Sequence, residues 1–548
     1  MAKKMTYLAL LLALVVSLFA GCGGGASEQS GGEPSGSAAE NEAPADDSGD
    51  AAAAEEEQAA EEAQQYGDTG GLKLPLVDKP VTLTWMLVSE NTNLNNSLIV
   101  QEIEKRTGIK LDIQAYSPAT YKDKLKVVLA SGKLPDLFHG LTLSEVNKMG
   151  SQGVVAPINE YIDKLPNFKK LYVEENSWVM KSYSDDNGNV YAWPIYGVNR
   201  EVNHGFLYRK DIFDKLGIPM WNSTDEFYQT LKKLKEAYPK SYPYASKTTE
   251  YIFRDWGYGW GIVGSEYPSY FDESDKQWKL TFTQPAYKDM LDFMKKLYNE
   301  GLMDPEVMTD TSASWTAKMT TDASFVTYDW IGRLDMFYNQ VKDQNPDYNL
   351  RYGNAVGPTM NIRELPKITT FGLAVTNNDK KEAAFKLLDY LSSPSGAELV
   401  MLGVEGKSFV VEADGSISYP ELKDAELIDI KLLEEKYGLW LEGMYLRADE
   451  RSVYFNYTEK EQEAQDMMVG KKEVSDPVLK FTDEETAAKA DLYNAIYKPA
   501  IEFSTKYVLS KDYGDKQWEE WLQQAKKLGE DSFIKIYNDA QQRYDSNQ

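Results

Sequence analysis

The chain has 548 residues, 42% of them apolar, which is more than one hydrophobic core accommodates and points to two domains of ordinary size plus extra segments. Its 86 acidic residues outnumber 59 basic ones for a formal charge of −27, so nucleic acid phosphates would be repelled and a nucleic-acid role is excluded. One cysteine and two histidines leave no intrachain disulfide and no Cys/His zinc site.

Lys3 and Lys4 precede an apolar run from Tyr7 to Ala20, too short and wrongly flanked for a stable membrane span, and 1–22 reads as a secretory signal. Leu18-Phe19-Ala20-Gly21-Cys22 resembles a bacterial lipobox, with Phe19 where leucine is usual. The resemblance implies that Cys22 carries the lipid (palmitate among its acyl chains) that holds the protein on the extracytoplasmic face of the cell membrane. A signal with an incidental cysteine is the alternative. Residues 23–73 are Gly, Ser, Ala, Glu and Gln with almost no large apolar side chain, so they cannot offset the entropy of ordering and read as an acidic tether.

Folded sequence is expected from Leu74. Val81–Val88 is β-branched and aromatic, LIVQEIEKRTGI has helical spacing with Gly108 as its stop, and KLDIQAY is a second strand. YKDKLKVVLASG is a helix ended by Gly132, and LPDLFHG a short buried strand. This β-α-β-α-β order predicts an α/β lobe on a mainly parallel sheet. A strand holding Trp193 and Tyr196 follows. Ser223 and Glu226 suggest a capping box, Pro285 opens a helix that Gly301 closes, and Ser324–Trp330 and Phe371–Val375 read as strands. From about Asp424 the chain reads as helical and rich in tyrosine.

Gly259, Gly261 and Gly264 fall in the order G-x-G-x-x-G, but no helical pattern follows them, so a dinucleotide's pyrophosphate would have no helix N-terminus to rest on. The stretch reads instead as a loop carrying Trp256, Tyr258 and Trp260 into a cleft, with packing of these rings onto the lobe as the alternative. No G-x-S-x-G, P-loop or H-E-x-x-H motif occurs, no cofactor is implied, and the chain is not expected to be an enzyme.

GKLPDLFHGLTLSEVNKMGSQGVVAPINEYI, NGNVYAWPIYGVNREVNHGFLYRKDIFDKLGI, VTYDWIGRL and FGLAVTNNDKKEAAFKLLDYLSSPSGAELV together, in that order, resemble the bacterial extracellular solute-binding proteins of family 1, the maltose-binding-protein-like receptors of ABC importers. The resemblance implies a two-lobed, type II periplasmic-binding-protein-like α/β fold with a hinge, an interlobe cleft, a carbohydrate ligand, an ABC permease as partner and a monomeric state. It places lobe 1 in 74–198 with a return through 369–411, and lobe 2 in 199–368 with C-terminal helices in 412–548. Crossing strands are expected near Tyr196–Asn203 and Ile368–Val375.

A sugar offers an apolar C–H face and a hydroxyl rim, which calls for flat aromatic side chains beside hydrogen-bonding ones. Trp330 in YDWIG matches the family's tryptophan that stacks under a ring. Asp329 is placed either to accept hydroxyls or to cap a helix beginning at Ile331. His139 follows LPDLF on a loop that carries polar contacts in the family, while Asp136 reads as a structural brace. Trp193 and Tyr196 lie on the strand reaching the hinge, Arg200 just beyond it, and Glu90 and Asn91 on the loop after the first strand. A same-fold receptor for a peptide or polyamine, or a secreted carbohydrate-active enzyme, are the alternative readings.

Overall fold

A computed structural model describes residues 66–198, 204–247, 251–362, 365–425, 428–453, 455, 458–471 and 476–546, all within one compact unit, Glu57–Gln548. The signal, Cys22 and nearly all of the tether lie outside the described residues, as does Arg200.

In chain order the strands are β1 (Val81–Val88), β2 (Ile109–Tyr116), β3 (Leu137–Phe138), β4 (Trp193–Tyr196), β5 (His204–Arg209), β6 (Ser269–Asp272), β7 (Gln277–Leu280), β8 (Val326–Trp330), β9 (Leu350–Tyr352) and β10 (Ile368–Val375). The first sheet has the order β2-β1-β3-β10-β4. Strands β1, β2 and β3 are parallel, and β10 runs antiparallel to both β3 and β4. Side-chain alternation along β1 feeds two cores. Leu83, Trp85 and Leu87 enter one with helix Lys381–Leu391, and Met86 enters the other with Tyr121 and Val146. The intervening helix Leu98–Thr107 starts where Ser97 accepts the Val100 N–H and stops at Gly108, φ 73°, as its sequence demands.

The second sheet, β8-β5-β9, is antiparallel throughout. Phe206 and Tyr208 of β5 pack on one side into the core shared with helices Pro285–Asn299, Asp483–Leu509, Asp515–Lys527 and Glu530–Ser546, and Leu207 packs on the other with Trp315 and Phe337. The two sheets and their separate cores make the two-lobed α/β fold. Strands β4 and β10, which pair Tyr196 with Ile368 and Ile195 with Thr369, reach from the first lobe toward the second.

Four expectations need correcting. Residues 66–73, expected in the tether, are docked on lobe 1: the Asp68 carbonyl accepts from the Ser395 N–H at 2.8 Å, the Thr69 carbonyl from Asn167 Nδ2 at 3.0 Å, and the Arg106 guanidinium lies 4.8 Å from the Tyr66 ring centroid. Tyr419 to Leu446 pack in the first lobe's core, so lobe 1 keeps the chain well past 411. The Arg254–Tyr267 stretch is not an open loop: Ile252–Gly257 is helical, and Tyr258–Trp260 continues it as a 3-10 turn. Its glycines serve backbone packing, since a Cβ on Gly259 would stand 1.9 Å from the Val356 carbonyl oxygen. Finally, Ser223 does accept the Glu226 N–H, but the Glu226 carboxylate reaches past it to the Asn222 N–H.

Candidate functional site

In an open α/β sheet the strands' carboxyl ends and the loops leaving them form the natural ligand floor. Here Val88 to Asn91 leave β1, Tyr116 and Pro118 leave β2, and His139 and Gly140 leave β3. Across these ends runs the chain from Gly438 to Ala448. It pairs Glu442 with Val88, then lies along the free edge of β4, where the Tyr196 N–H donates to the Leu446 carbonyl and the Ala448 N–H to that of Tyr196. Its path needs left-handed backbone at Gly438, Trp440 and Gly443 (φ 80°, 59° and 99°). For a tryptophan that conformation is costly, and such strain collects at functional sites. A Cβ on Gly443 would sit 2.9 Å from His139 Cδ2, so glycine is what lets the segment lie this close to the strand ends.

Beneath the segment is a cavity of about 540 Å³ lined by Glu90, Asn91, Glu434, Trp440, Glu442 and Tyr445 among others. The Tyr445 ring centroid is 5.3 Å from that of Trp440, tilted by 50°, and 5.8 Å from that of Phe371 on β10, edge-on at 88°, so the accessible rings of this aromatic shelf are the partly buried Tyr445 and Phe371, with Trp440, 5% exposed, belonging to the core. The Ser89 hydroxyl donates to Glu434, and Asn91 Nδ2 donates to the Glu434 carbonyl at 3.2 Å. Burial raises the pKa of Glu434, with the charges of Glu435 and Glu90 adding to the rise, and burial likewise raises that of Glu442.

In the second lobe, Trp330 ends β8 opposite His204, the first residue of β5 and so the end nearest the hinge. Its side chain is 51% exposed, with the His204 ring centroid 4.2 Å away. A second concavity, about 880 Å³, lies at the hinge: Tyr196, Gly197, Lys367 and Arg447 line it together with Gln462 and Gln465 of helix Glu459–Met467. Lys367 Nζ stands 5.3 Å from the Tyr196 ring centroid.

The structure thus brings Glu90 and Asn91 to the first-lobe cavity, Tyr196 to the hinge groove, and Trp330 to the open end of the second sheet. It takes the other described candidates elsewhere. Trp193, 1% exposed, lies between Phe168 and Phe385 and donates to Ser392 Oγ at 3.1 Å. Trp256, wholly buried, donates to the Tyr244 hydroxyl at 2.8 Å, and Trp260 stacks on it. These three are core residues because both faces of each sheet are covered, so a tryptophan at a strand end or nearby turn finds an apolar partner before it finds solvent. Asp329 neither faces a cleft nor caps a helix. The helix begins at Arg333, and Asp329 is a buried anion held by Lys247 at 2.6 Å and Arg333 at 3.0 Å. His139 lies behind the cavity wall, stacked on Tyr121 at 4.9 Å, with Nδ1 3.8 Å from Glu442 Oε1. Burial pushes its pKa down to about 4, so it is a neutral imidazole at ordinary pH. Asp136 is a brace: it accepts from the Thr84 N–H at 2.8 Å and from Lys380 at 2.9 Å.

Trp440, Tyr445, Phe371, Glu434 and Glu442 were not singled out in the sequence. The signal available was YGLWLEGMYL, where two glycines flanking a tryptophan interrupt the helical period.

Two lobes, a crossing pair of strands and aromatic and polar side chains at the strand ends are the architecture of a solute-binding protein. The family model of the bacterial extracellular solute-binding proteins matches residues 96–398, more than half of the chain, and the chain belongs to that family. It is 27% identical over 305 residues to the fructooligosaccharide ABC transporter substrate-binding protein FusA of Streptococcus pneumoniae, a match covering 51% of this chain and 54% of that one. It is 23% identical over 479 residues to lipoprotein LipO of Bacillus subtilis, covering 82% and 90%. Among solved structures, an HMO-binding, ABC-transporter-associated solute-binding protein from Bifidobacterium longum infantis superposes with a TM-score of 0.68 at 18% identity, over 86% of this chain and 99% of that one.

Proposed function

We propose that the protein is the lipid-anchored extracytoplasmic receptor of an ABC importer, and that it binds an oligosaccharide between its lobes, leaves it chemically unchanged and delivers it to a permease. The observation that carries the ligand class is the pairing of two aromatic surfaces with polar neighbours, the partly buried Tyr445 and Phe371 beside Glu90, Asn91 and Glu442 on one lobe and half-exposed Trp330 on the other. Flat rings take a sugar's C–H face, and carboxylates and amides take its hydroxyls. The name of FusA, a fructooligosaccharide receptor, favours the same class.

Contacts made to both lobes at once stabilise the closed arrangement by their differential affinity, and the closed receptor is what the permease engages. The anchor is Cys22, and residues 23–65 are the spacer that keeps a monomeric receptor at high effective concentration near its permease. Among the described residues no helix is long and apolar enough to cross a membrane, so attachment falls to the N-terminal lipid in this reading. Titration calorimetry with neutral oligosaccharides, peptides and polyamines tests the ligand class. Binding confined to the oligosaccharides is expected, and binding confined to peptides or polyamines overturns it.

A further inference from the structure

The first-lobe wall carries an unusual charge balance for a site that contacts solute. Four carboxylates, Glu90, Glu434, Glu435 and Glu442, line the cavity, and Lys431 is the one cation among its lining residues. Nothing cationic compensates the two whose surroundings are best defined. Glu434 is half-buried, takes one hydrogen bond from the neutral Ser89 hydroxyl and feels Glu435 and Glu90 as like charges. Glu442 faces the fully buried His139, whose Nδ1 points at it from 3.8 Å and whose two ring nitrogens have no hydrogen-bond partner among the described residues. That imidazole is neutral and lends the carboxylate no charge. In the second lobe Arg333, three residues after Trp330, and Lys247 are both committed to the buried Asp329, and the hinge cations Lys367 and Arg447 line the separate hinge concavity rather than this wall. The chain as a whole carries −27, so its far field has the same sign as the wall.

We infer that this wall selects by charge: it takes a saccharide unit whose hydroxyls donate to the four carboxylates while its ring lies on Tyr445, and it refuses a unit that carries a carboxylate. The inference rests on the oligosaccharide reading above. A sugar hydroxyl donates to a carboxylate in place of water, and charge-assisted bonds of this kind are the stronger sort. A uronate brings a further anion beside these four carboxylates, of which Glu90, Glu435 and Glu442 are exposed and Glu434 half-buried, and the salt-sensitive repulsion acts as selection against the wrong ligand.

The test is calorimetry on the mature protein with maltohexaose, cellohexaose, mannohexaose and nystose, each beside its own form oxidised to carboxylate at the primary hydroxyls. For every neutral sugar that binds, its carboxylate form is expected to bind at least about tenfold more weakly at low salt, a difference of ~1.4 kcal/mol. The gap is expected to narrow as salt is added and to fall to about threefold or less in the double variant Glu434→Gln, Glu442→Gln. The single variant Glu442→Gln, whose side chain is half in solvent, supplies the same readout if the double variant unfolds. A carboxylate form that binds as tightly as its parent, or a gap that neither salt nor the variants move, overturns the charge filter and leaves the carbohydrate reading intact. If none of these sugars binds in either form, the carbohydrate reading fails and the filter with it.

Discussion

Trp330 and Trp193 have the same side chain at the end of a strand, yet the physics assigns them opposite duties. Trp193 is enclosed by Phe168, Phe385 and the helix bearing Ser392, so Trp193→Ala is expected to cost ~3–5 kcal/mol of stability in denaturant unfolding. Trp330 has half its surface in solvent, so Trp330→Ala is expected to shift stability by less than ~1 kcal/mol while weakening sugar binding about tenfold or more. Comparable losses of stability in the two variants would place Trp330 in a core role. His139 gives a pH prediction with a definite sign. Its ordinary pKa is 6.5 and burial lowers it to about 4, so between those values the unfolded chain binds a proton that the native chain does not. Stability from this group is therefore complete above about pH 6.5 and is lost as pH falls toward 4, by ~3 kcal/mol at most. The groups facing the ring are Tyr121, stacked on it, and Glu442; a charged Glu442 softens the loss. His139→Leu is expected to flatten the decline in melting temperature between about pH 7 and 5, and an unchanged decline would show that other groups carry it.

At the scale of elements, periodic segments were legible and aperiodic ones were not. Alternation in VTLTWMLV and the capped helix after it follow from local chemistry, and the structure has them where the pattern put them. The direction in which a strand-end aromatic points is not local. Both faces of the first sheet are covered, so the period of WPIY sets which residues share a face without saying whether that face meets helices or solute. The Gly438–Ala448 crossing has no period at all, and its place over the strand ends depends on contacts with Val88, His139 and Tyr196 far away in sequence. The glycine-rich stretch was legible as something other than a nucleotide loop because its helix was missing, but the close pass of Val356 behind Gly259 was not. Gly259→Ala is thus expected to destabilise the second lobe by ~2 kcal/mol or more, since the clash is with backbone that has nowhere to retreat. Gly217→Ala serves as the comparison. It has a φ of 64° with open space around the new Cβ, and should cost only ~1 kcal/mol. Equal effects in thermal unfolding would remove the close-packing explanation.

Across the whole folded unit, the connections that matter are few. Strand β10 pairs with both β3 and β4, and its register with β4 is irregular between Thr369 and Leu373, where Gly372 adopts φ 64°. Rotation of one lobe against the other therefore concentrates at the lobe-2 end of β4 and β10, close to Tyr196 and Ile368, while each lobe's own core stays packed. Away from those strands, Lys480 meets Asp186 at 3.0 Å and the Tyr544 ring lies 5.8 Å from Lys181 Nζ, so the C-terminal segment touches the first lobe through an ion pair and a cation–ring contact. Such contacts are weak enough to rearrange when the lobes move. A sugar bridging Trp330 and the Tyr445 shelf would supply what these contacts do not, a bond network shared by both lobes. The expected outcome is a smaller radius of gyration by solution scattering on adding a binding oligosaccharide, together with a stabilisation of about 2.7 kcal/mol at a hundredfold excess over Kd. Trp330→Ala is expected to lose the compaction at sugar concentrations that still occupy the first-lobe shelf, because the remaining contacts favour neither arrangement. Saturating binding to the unaltered protein with no change in scattering would mean that one lobe holds the sugar alone, and closure would have to be given up as the step that the permease reads.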